Sequence, residues 1–197
     1  MAVTRHPGRT KEAILEAAEN LIVEKGFQAF TLDEIAERAS VSKGGLLHHY
    51  PNKQSLVLGL AEHMIVLHEQ EINTNLSKDP EAPGAFARAY LRANLECVDE
   101  CTQVCAMLAA ESRNNPPMLK LFQDYSAQCQ HRLENDGLDP VVATTVRYAA
   151  EGLRSAAKCG LPRPANYDQI FAHLLNLAGA GRQRPSQRKY EESLQSL

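Results

Sequence analysis

The chain has 197 residues and a formal net charge of −3. This length allows one large or two small hydrophobic cores, and the slight negative charge excludes a protein that attracts nucleic acid through a basic field over its whole surface. Five cysteines, an odd number, favour reduced thiols over a disulfide framework and therefore a cytoplasmic protein. No signal-peptide pattern and no apolar stretch of ~18 residues is visible, so we expect no membrane partner.

Apolar residues recur at helical spacing along nearly the whole chain, and strand-like alternation is missing from it. The predicted fold class is therefore all-α, with about nine helices. The first helix is predicted over residues 10–25, because Ile14, Ala18 and Leu21 fall on one face. Gly26 then provides a C-terminal stop.

Residues 30–53 predict two short helices joined by a tight turn. Thr31 and Glu34 are spaced as a capping box, in which the hydroxyl accepts the amide hydrogen three positions on and the carboxylate reaches back to the first amide. Ser42 is placed to cap the second helix, and Pro51 ends it because the residue before a proline avoids the helical conformation. Two short helices around such a turn form a helix-turn-helix, whose second helix can enter the major groove of DNA.

The remaining periodic stretches predict a long fourth helix and a larger C-terminal helical body. The fourth helix is expected from about residue 53 to residue 73, after a three-helix head. Five further helices are expected over residues 85–98, 100–113, 117–135, 140–159 and 167–177. Residues 181–197 are polar and lack periodicity, so they are predicted to be a disordered tail.

The run from Thr31 to Lys53, TLDEIAERASVSKGGLLHHYPNK, resembles the signature of TetR/AcrR-type transcriptional regulators. The resemblance implies a helix-turn-helix DNA-binding domain over residues 8–68 and a ligand-binding and dimerisation domain over residues 69–180. It also implies a homodimer through the last two long helices, a palindromic double-stranded DNA operator, and an unknown small-molecule effector that releases the operator. A ligand-responsive repressor that needs no cofactor is the predicted function.

The resemblance further implies which residues meet DNA. The expected contacts are Thr31, Ser42, Lys43, Gly44, Gly45, His48, His49, Tyr50 and Lys53. Tyr50 is also expected to hold the second helix to the head, together with Val41 and Leu46. The chain departs from the family at two positions, since Gly45 stands where a hydroxyl residue is common and Leu47 where a tyrosine is common.

The body offers candidates for an effector pocket and for a dimer surface. Five aromatic or methionine side chains have the spacing of residues that face the interior of the body. They could form a ligand pocket or an ordinary core: Phe86, Tyr90, Met107, Phe122 and Tyr125. The penultimate helix carries small residues suited to close helix packing, either in a dimer interface, which the resemblance favours, or in a contact within the chain: Ala143, Ala149, Ala150, Gly152, Ala156 and Ala157.

Two other function classes remain as alternatives. Cys97, Cys101 and Cys105 share one stripe if a single helix carries them, which suits a thiol-based redox or metal sensor with Cys129 or His131 as a further ligand. The simpler interpretation is that these cysteines are small buried hydrophobes. An all-helical enzyme is the less favoured alternative, because no nucleophile motif or phosphate loop supports it. His48 and His49 point in different directions on a helix, so no metal site is predicted there.

Overall fold

The computed structural model of the chain describes residues 7–79, 82–96 and 101–179, without the side chains of residues 7–9 and 101–103. Within these ranges the protein has nine α-helices and no strand, which confirms the predicted all-α class. The helices are α1 (Pro7–Lys25), α2 (Leu32–Arg38), α3 (Lys43–His49), α4 (Lys53–Leu76), α5 (Ala85–Leu95), α6 (Cys101–Glu111), α7 (Pro116–Glu134), α8 (Pro140–Lys158) and α9 (Tyr167–Gly179). A short 3₁₀ helix, Ser112–Asn114, follows α6. The predicted tail over residues 181–197 lies outside the described residues.

The chain divides into two compact units. Unit 1 consists of residues 1–68 and 99–125, and unit 2 of residues 69–98 and 126–197. Residues 99–125, far along the chain, therefore belong with the N-terminal head, although the sequence alone suggests a head of three helices. The functional domain boundaries inferred from the sequence stay a prediction.

One hydrophobic core fills unit 1, and it is built from five helices and the start of α7. Its fully buried side chains include Ile14 and Ile22 of α1, Ile35 of α2, Leu46 of α3, Leu56 and Leu60 of α4, Val104 and Leu108 of α6, and Met118 of α7. Burial of such side chains supplies most of the favourable free energy of folding, at roughly 1.5–3 kcal/mol each. The helix-turn-helix thus takes part of its core from α6.

In unit 2, α5, α8 and α9 pack against one another. Asp139 caps α8, since its carboxylate accepts the Val141 amide hydrogen at 2.8 Å, and Pro140 occupies the first turn as predicted. Ala143 and Ala150 of the predicted small-residue surface of α8 are completely buried inside the unit, so these two residues pack within the chain.

The start of α5 is capped from a distance. Gly84 is the N-terminal cap residue of α5 and has no side chain that could accept a hydrogen bond. The Asp136 carboxylate instead accepts the amide hydrogens of Phe86 at 3.0 Å and Ala87 at 2.7 Å. Burial raises the pKa of Asp136, while these two hydrogen bonds oppose that rise. Two orphan amides of the helix are satisfied in this way.

The described helices include none that is both long enough and apolar enough to cross a bilayer.

Candidate nucleic-acid interface

The start of α2 is fixed by the predicted capping box. The Thr31 hydroxyl accepts the Glu34 amide hydrogen at 3.2 Å, and the Glu34 carboxylate accepts the Thr31 amide hydrogen at 2.8 Å. The Thr31 hydroxyl also donates to Glu34 Oε2 at 3.0 Å, although Thr31 is exposed. This threonine is therefore used inside the cap, and its predicted contact with DNA stays a prediction.

The turn between the two helices closes the C-terminal end of α2 with two hydrogen bonds, and α3 begins directly after it. The Ser40 amide donates to the Glu37 carbonyl at 3.0 Å, and the Val41 amide donates to the Ala36 carbonyl at 2.9 Å. Ser40 lies in the left-handed region at φ 53°, as this type of helix ending requires. Strain at such a residue costs about 1 kcal/mol, which the two hydrogen bonds and the partial burial of Val41 against the core offset.

Helix α3 begins at the predicted cap, because Ser42 Oγ accepts the Gly45 amide hydrogen at 3.0 Å. It ends at His49, and Tyr50 has extended backbone before Pro51. Leu46 is completely buried and Leu47 packs against the core as a half-buried side chain, so one side of this short helix faces the head. The caps and the stop are local features of the sequence, and all of them are confirmed.

Tyr50 belongs to the core rather than to the surface. Its side chain is 5% exposed, and its hydroxyl is buried without a hydrogen-bond partner. The ring lies against α4 so closely that a Cβ on Gly59 would come within 2.4 Å of Tyr50 Cε1. Burial, with a smaller contribution from Glu62, raises the pKa of Tyr50 to about 12. The expectation that Tyr50 holds α3 to the head is confirmed. The predicted side-chain contact of Tyr50 with DNA is wrong, because the side chain is buried in the core.

The other predicted DNA contacts lie at the start of α2, on α3 and its N-terminal cap, and at the start of α4, and we call this set the α2–α3 face. Its exposed members are Thr31, Ser42, Lys43, Gly44 and His48, and its half-buried members are Gly45, His49 and Lys53. A Cβ added at Gly44 would meet nothing within 4 Å, whereas one at Gly45 would lie 3.1 Å from Ser42 Oγ. The missing side chain of Gly44 therefore leaves room beside the backbone of α3 for a close approach from outside.

Two exposed ion pairs connect α2 to α1. Lys25 Nζ lies 2.6 Å from Glu34 Oε1, and the Arg38 guanidinium donates to both oxygens of Glu24 at 2.6 and 2.9 Å. The Lys25 ammonium, helped by the amide and hydroxyl of Thr31, lowers the pKa of Glu34 to about 2. Lys25 and Arg38 are thus engaged within the head.

Lys53 is turned toward the protein. Its ammonium donates to the Phe30 carbonyl at 2.9 Å and to the Gln28 carbonyl at 3.4 Å, and it lies 3.9 Å from the centre of the Phe30 ring. These carbonyls belong to the connection between α1 and α2, where no helix supplies amide hydrogens for them to accept. Burial lowers the pKa of Lys53. A phosphate contact would require Lys53 to leave these partners, so its predicted role in DNA binding stays a prediction.

Two family models together match 143 of the 197 residues, counted as 47 in residues 14–60 and 96 in residues 84–179. The first describes bacterial regulatory proteins of the tetR family and covers α2, the turn and α3. The second describes a tetracyclin repressor-like C-terminal domain and covers the chain from the start of α5 to the end of α9. The chain belongs to the tetR family. Proteins of this family are transcriptional regulators that bind operator DNA, usually as dimers with small-molecule effectors.

Relatives and solved structures agree with this assignment. The chain is 29% identical over 109 residues to the HTH-type transcriptional regulator RutR of Escherichia coli K12, covering 55% of this chain and 50% of RutR. It is 34% identical over 82 residues to the HTH-type transcriptional regulator TtgR of Pseudomonas putida, covering 42% of this chain and 39% of TtgR. The matches thus span half or less of these relatives' lengths. A TetR transcription regulator from Haloarcula marismortui shares the fold with a TM-score of 0.71 at 14% identity, covering 89% of this chain and 100% of that one.

The five residues predicted for an effector pocket fall in different environments of the TetR-type fold. In unit 2, the Phe86 and Tyr90 rings lie 6.2 Å apart, and the Tyr90 hydroxyl donates to Glu151 Oε1 at 2.8 Å. In unit 1, Met107 and Phe122 pack partly buried against the core, and the Tyr125 hydroxyl lies 2.7 Å from Nδ1 of His68. Each has a packing role, and effector binding by any of them stays a prediction.

The cysteine alternative is not supported in this TetR-family protein. Cys97 and the side chain of Cys101 lie outside the described residues, while Cys105 is half-buried in unit 1 and Cys129 is buried in unit 2. Within the described ranges, no group of three or more His, Cys, Asp or Glu side chains could hold a metal ion. The matches support a DNA-binding regulator and not a thiol-based sensor, so that alternative is dropped. The family consists of DNA-binding proteins rather than enzymes.

Asp33 is the residue of this surface that the sequence analysis missed. Its carboxylate is bonded to the Lys43 ammonium, at 2.8 Å from Oδ1 and 3.0 Å from Oδ2. No local spacing rule joins positions ten residues apart, and the pair exists because the turn brings the starts of α2 and α3 together.

Proposed function

We propose that the protein is a transcriptional repressor that binds a palindromic operator as a homodimer and releases it when a small molecule binds the body. The observation that carries this proposal is the α2–α3 face, on which Lys43, Gly44 and His48 are exposed on a helix held from behind by Leu46 and Tyr50. A rigidly mounted helix with a cation at its first turn and an open backbone suits insertion into a major groove beside a phosphate.

The dimer is proposed to form through α8 and α9. Helix α8 exposes a stripe at alternating steps of four and three residues, formed by Val141, Thr145, Tyr148, Gly152 and Ser155. Such spacing is typical of a helix that pairs with another helix, and Val141 and Tyr148 are 74% and 62% exposed although they are large and apolar. A two-fold dimer through this surface would carry two α2–α3 faces, and we expect them to reach half-sites about 34–36 Å apart.

Release of the operator is proposed to pass through the core of unit 1. Val104 and Leu108 of α6 are completely buried in the same core as Leu46 of α3. A ligand that favours a different position of α6 must therefore repack the core around α3. Coupling of about 1–3 kcal/mol between the ligand and DNA is typical of such devices and changes the affinity roughly 5–150-fold.

Binding to DNA from the region upstream of its own gene, measured by fluorescence anisotropy over a range of salt concentrations, tests the proposal. A random-sequence duplex of equal length serves as the non-specific probe. Lys43→Gln is expected to weaken binding to both duplexes by roughly threefold to tenfold and to reduce the slope of log K against log salt by about 0.9, because one phosphate contact is lost.

Lys78→Gln is the matched control, since Lys78 is an exposed lysine of unit 2. It should leave both the affinity and the slope unchanged. A wild-type protein that binds neither duplex at low salt would refute the proposed function, and equal losses in the two variants would refute the α2–α3 face as the contact surface.

A further inference from the structure

The ion pair between Asp33 and Lys43 lies on the surface that the proposed function assigns to DNA. Asp33 is in the first turn of α2 and Lys43 is the first residue of α3. Both side chains remain exposed, at 65% and 61% respectively, even though the ammonium is within 3.0 Å of both carboxylate oxygens. The ion pair is therefore formed and is also accessible to an incoming phosphate.

The α2–α3 face carries few lysine or arginine side chains besides Lys43. Residues 31–53 contain three cations, Arg38, Lys43 and Lys53. Both oxygens of Glu24 hold Arg38, and the carbonyls of residues 28 and 30 hold Lys53. Of these cations, Lys43 can exchange its partner for a phosphate with the smallest loss of contacts inside the head, because among the described residues it is bonded only to the exposed Asp33 carboxylate. A phosphate beside the start of α3 must compete with the Asp33 carboxylate for the same ammonium.

The competition between Asp33 and the phosphate weakens DNA binding. When Lys43 turns to a phosphate, Asp33 loses its partner and is left close to a second negative group. An exposed ion pair contributes little to folding, so the exchange is possible without loosening the head. Its effect falls on the DNA complex instead, where the unpaired Asp33 carboxylate lies beside the phosphate and repels it.

We propose that Asp33 is a positioning residue that limits the affinity of this protein for DNA by holding Lys43 in the free state. The proposal rests on the proposed function, because it concerns the same surface. Its consequence is unusual for a residue next to a binding site, since removing the charge of Asp33 should strengthen binding. The effect does not depend on base sequence, because the competition is for a phosphate.

Asp33→Asn, measured on a random-sequence duplex by anisotropy over a range of salt concentrations, tests the proposal in the full-length protein. We expect roughly twofold to fivefold tighter binding than wild type, because the competition for Lys43 is removed. The salt slope should become slightly steeper, because salt no longer screens a repulsion between Asp33 and the phosphate. Asp33→Glu keeps the charge and should behave like wild type. Thermal unfolding of each variant shows whether α2 is retained.

Glu37→Gln is the matched control, because Glu37 is an exposed acid of the same helix and its replacement changes the net charge equally. The gain in Asp33→Asn must exceed the gain in Glu37→Gln, and it must shrink to that level when Lys43→Gln is also present. Equal gains in the two variants, a gain that persists without Lys43, or weaker binding by Asp33→Asn would each overturn the proposal. If the wild type binds no duplex, the proposed function fails as well. If the wild type binds and Asp33→Asn binds with the same affinity, only the role of Asp33 is refuted.

Discussion

Replacing Leu108 by alanine is expected to lower the free energy of unfolding by about 2–5 kcal/mol. Leu108 lies on α6, is completely buried, and belongs to the core that supports α1 to α4 in unit 1. The substitution removes buried apolar area and leaves a cavity, since close-packed helices collapse only partly around the loss. A domain is stable by roughly 5–15 kcal/mol, so this is a large fraction of the total.

Thermal unfolding followed by circular dichroism measures this effect, with an expected loss of about 2–4 °C in Tm per kcal/mol. Leu119→Ala is the matched control, because Leu119 belongs to the same unit but is 37% exposed. The control should change stability by less than about 1 kcal/mol. Equal shifts in the two variants would contradict the conclusion that α6 completes the core of the head.

Gly84→Ala is the second substitution with a large expected effect. Gly84 has φ +83°, and a Cβ there would come within 1.8 Å of the Ala178 carbonyl oxygen at the end of α9. That oxygen also accepts a hydrogen bond from Arg88 at 2.9 Å, so moving it disturbs a second contact. Backbone strain and steric overlap together should destabilise unit 2 by about 2–5 kcal/mol.

Gly160→Ala isolates the contribution of the overlap. Gly160 has a similar φ of +73°, but a Cβ added to it would meet nothing within 4 Å. It should cost only the left-handed backbone penalty of about 1–2 kcal/mol. Urea unfolding of both variants gives the comparison, and a Gly84→Ala variant no less stable than Gly160→Ala would disprove the close approach of α9 to Gly84.

The features of the fold that the sequence predicts are those that act over three or four residues. The capping box of Thr31 and Glu34, the Ser42 cap and the Asp139–Pro140 start are all present, because a helix start needs a hydrogen-bond acceptor at one fixed spacing from its amides. The resemblance of residues 31–53 likewise leads to the correct family, since the whole motif is contiguous.

The features that the sequence does not predict depend on contacts between distant residues. Helix α6 completes the head core, the Tyr50 ring packs on Gly59 in particular, and the Lys53 ammonium donates to the carbonyls of residues 28 and 30. Asp33 and Lys43 meet only because the turn between them folds. Helical periodicity identifies which side of a helix is apolar, but it does not identify the helix that covers it.

The central claim is that the exposed side of α3 meets DNA, and site-specific photo-crosslinking tests it most directly. A photoreactive amino acid in place of His48, which is exposed on α3, is compared with the same amino acid in place of Gln128, which is exposed in unit 2. Each protein is irradiated on a duplex taken from the region upstream of its own gene. We predict cross-links to bases from position 48 and none from position 128. Cross-links from position 128, or none from position 48 in a protein that still binds the duplex, would contradict the assignment.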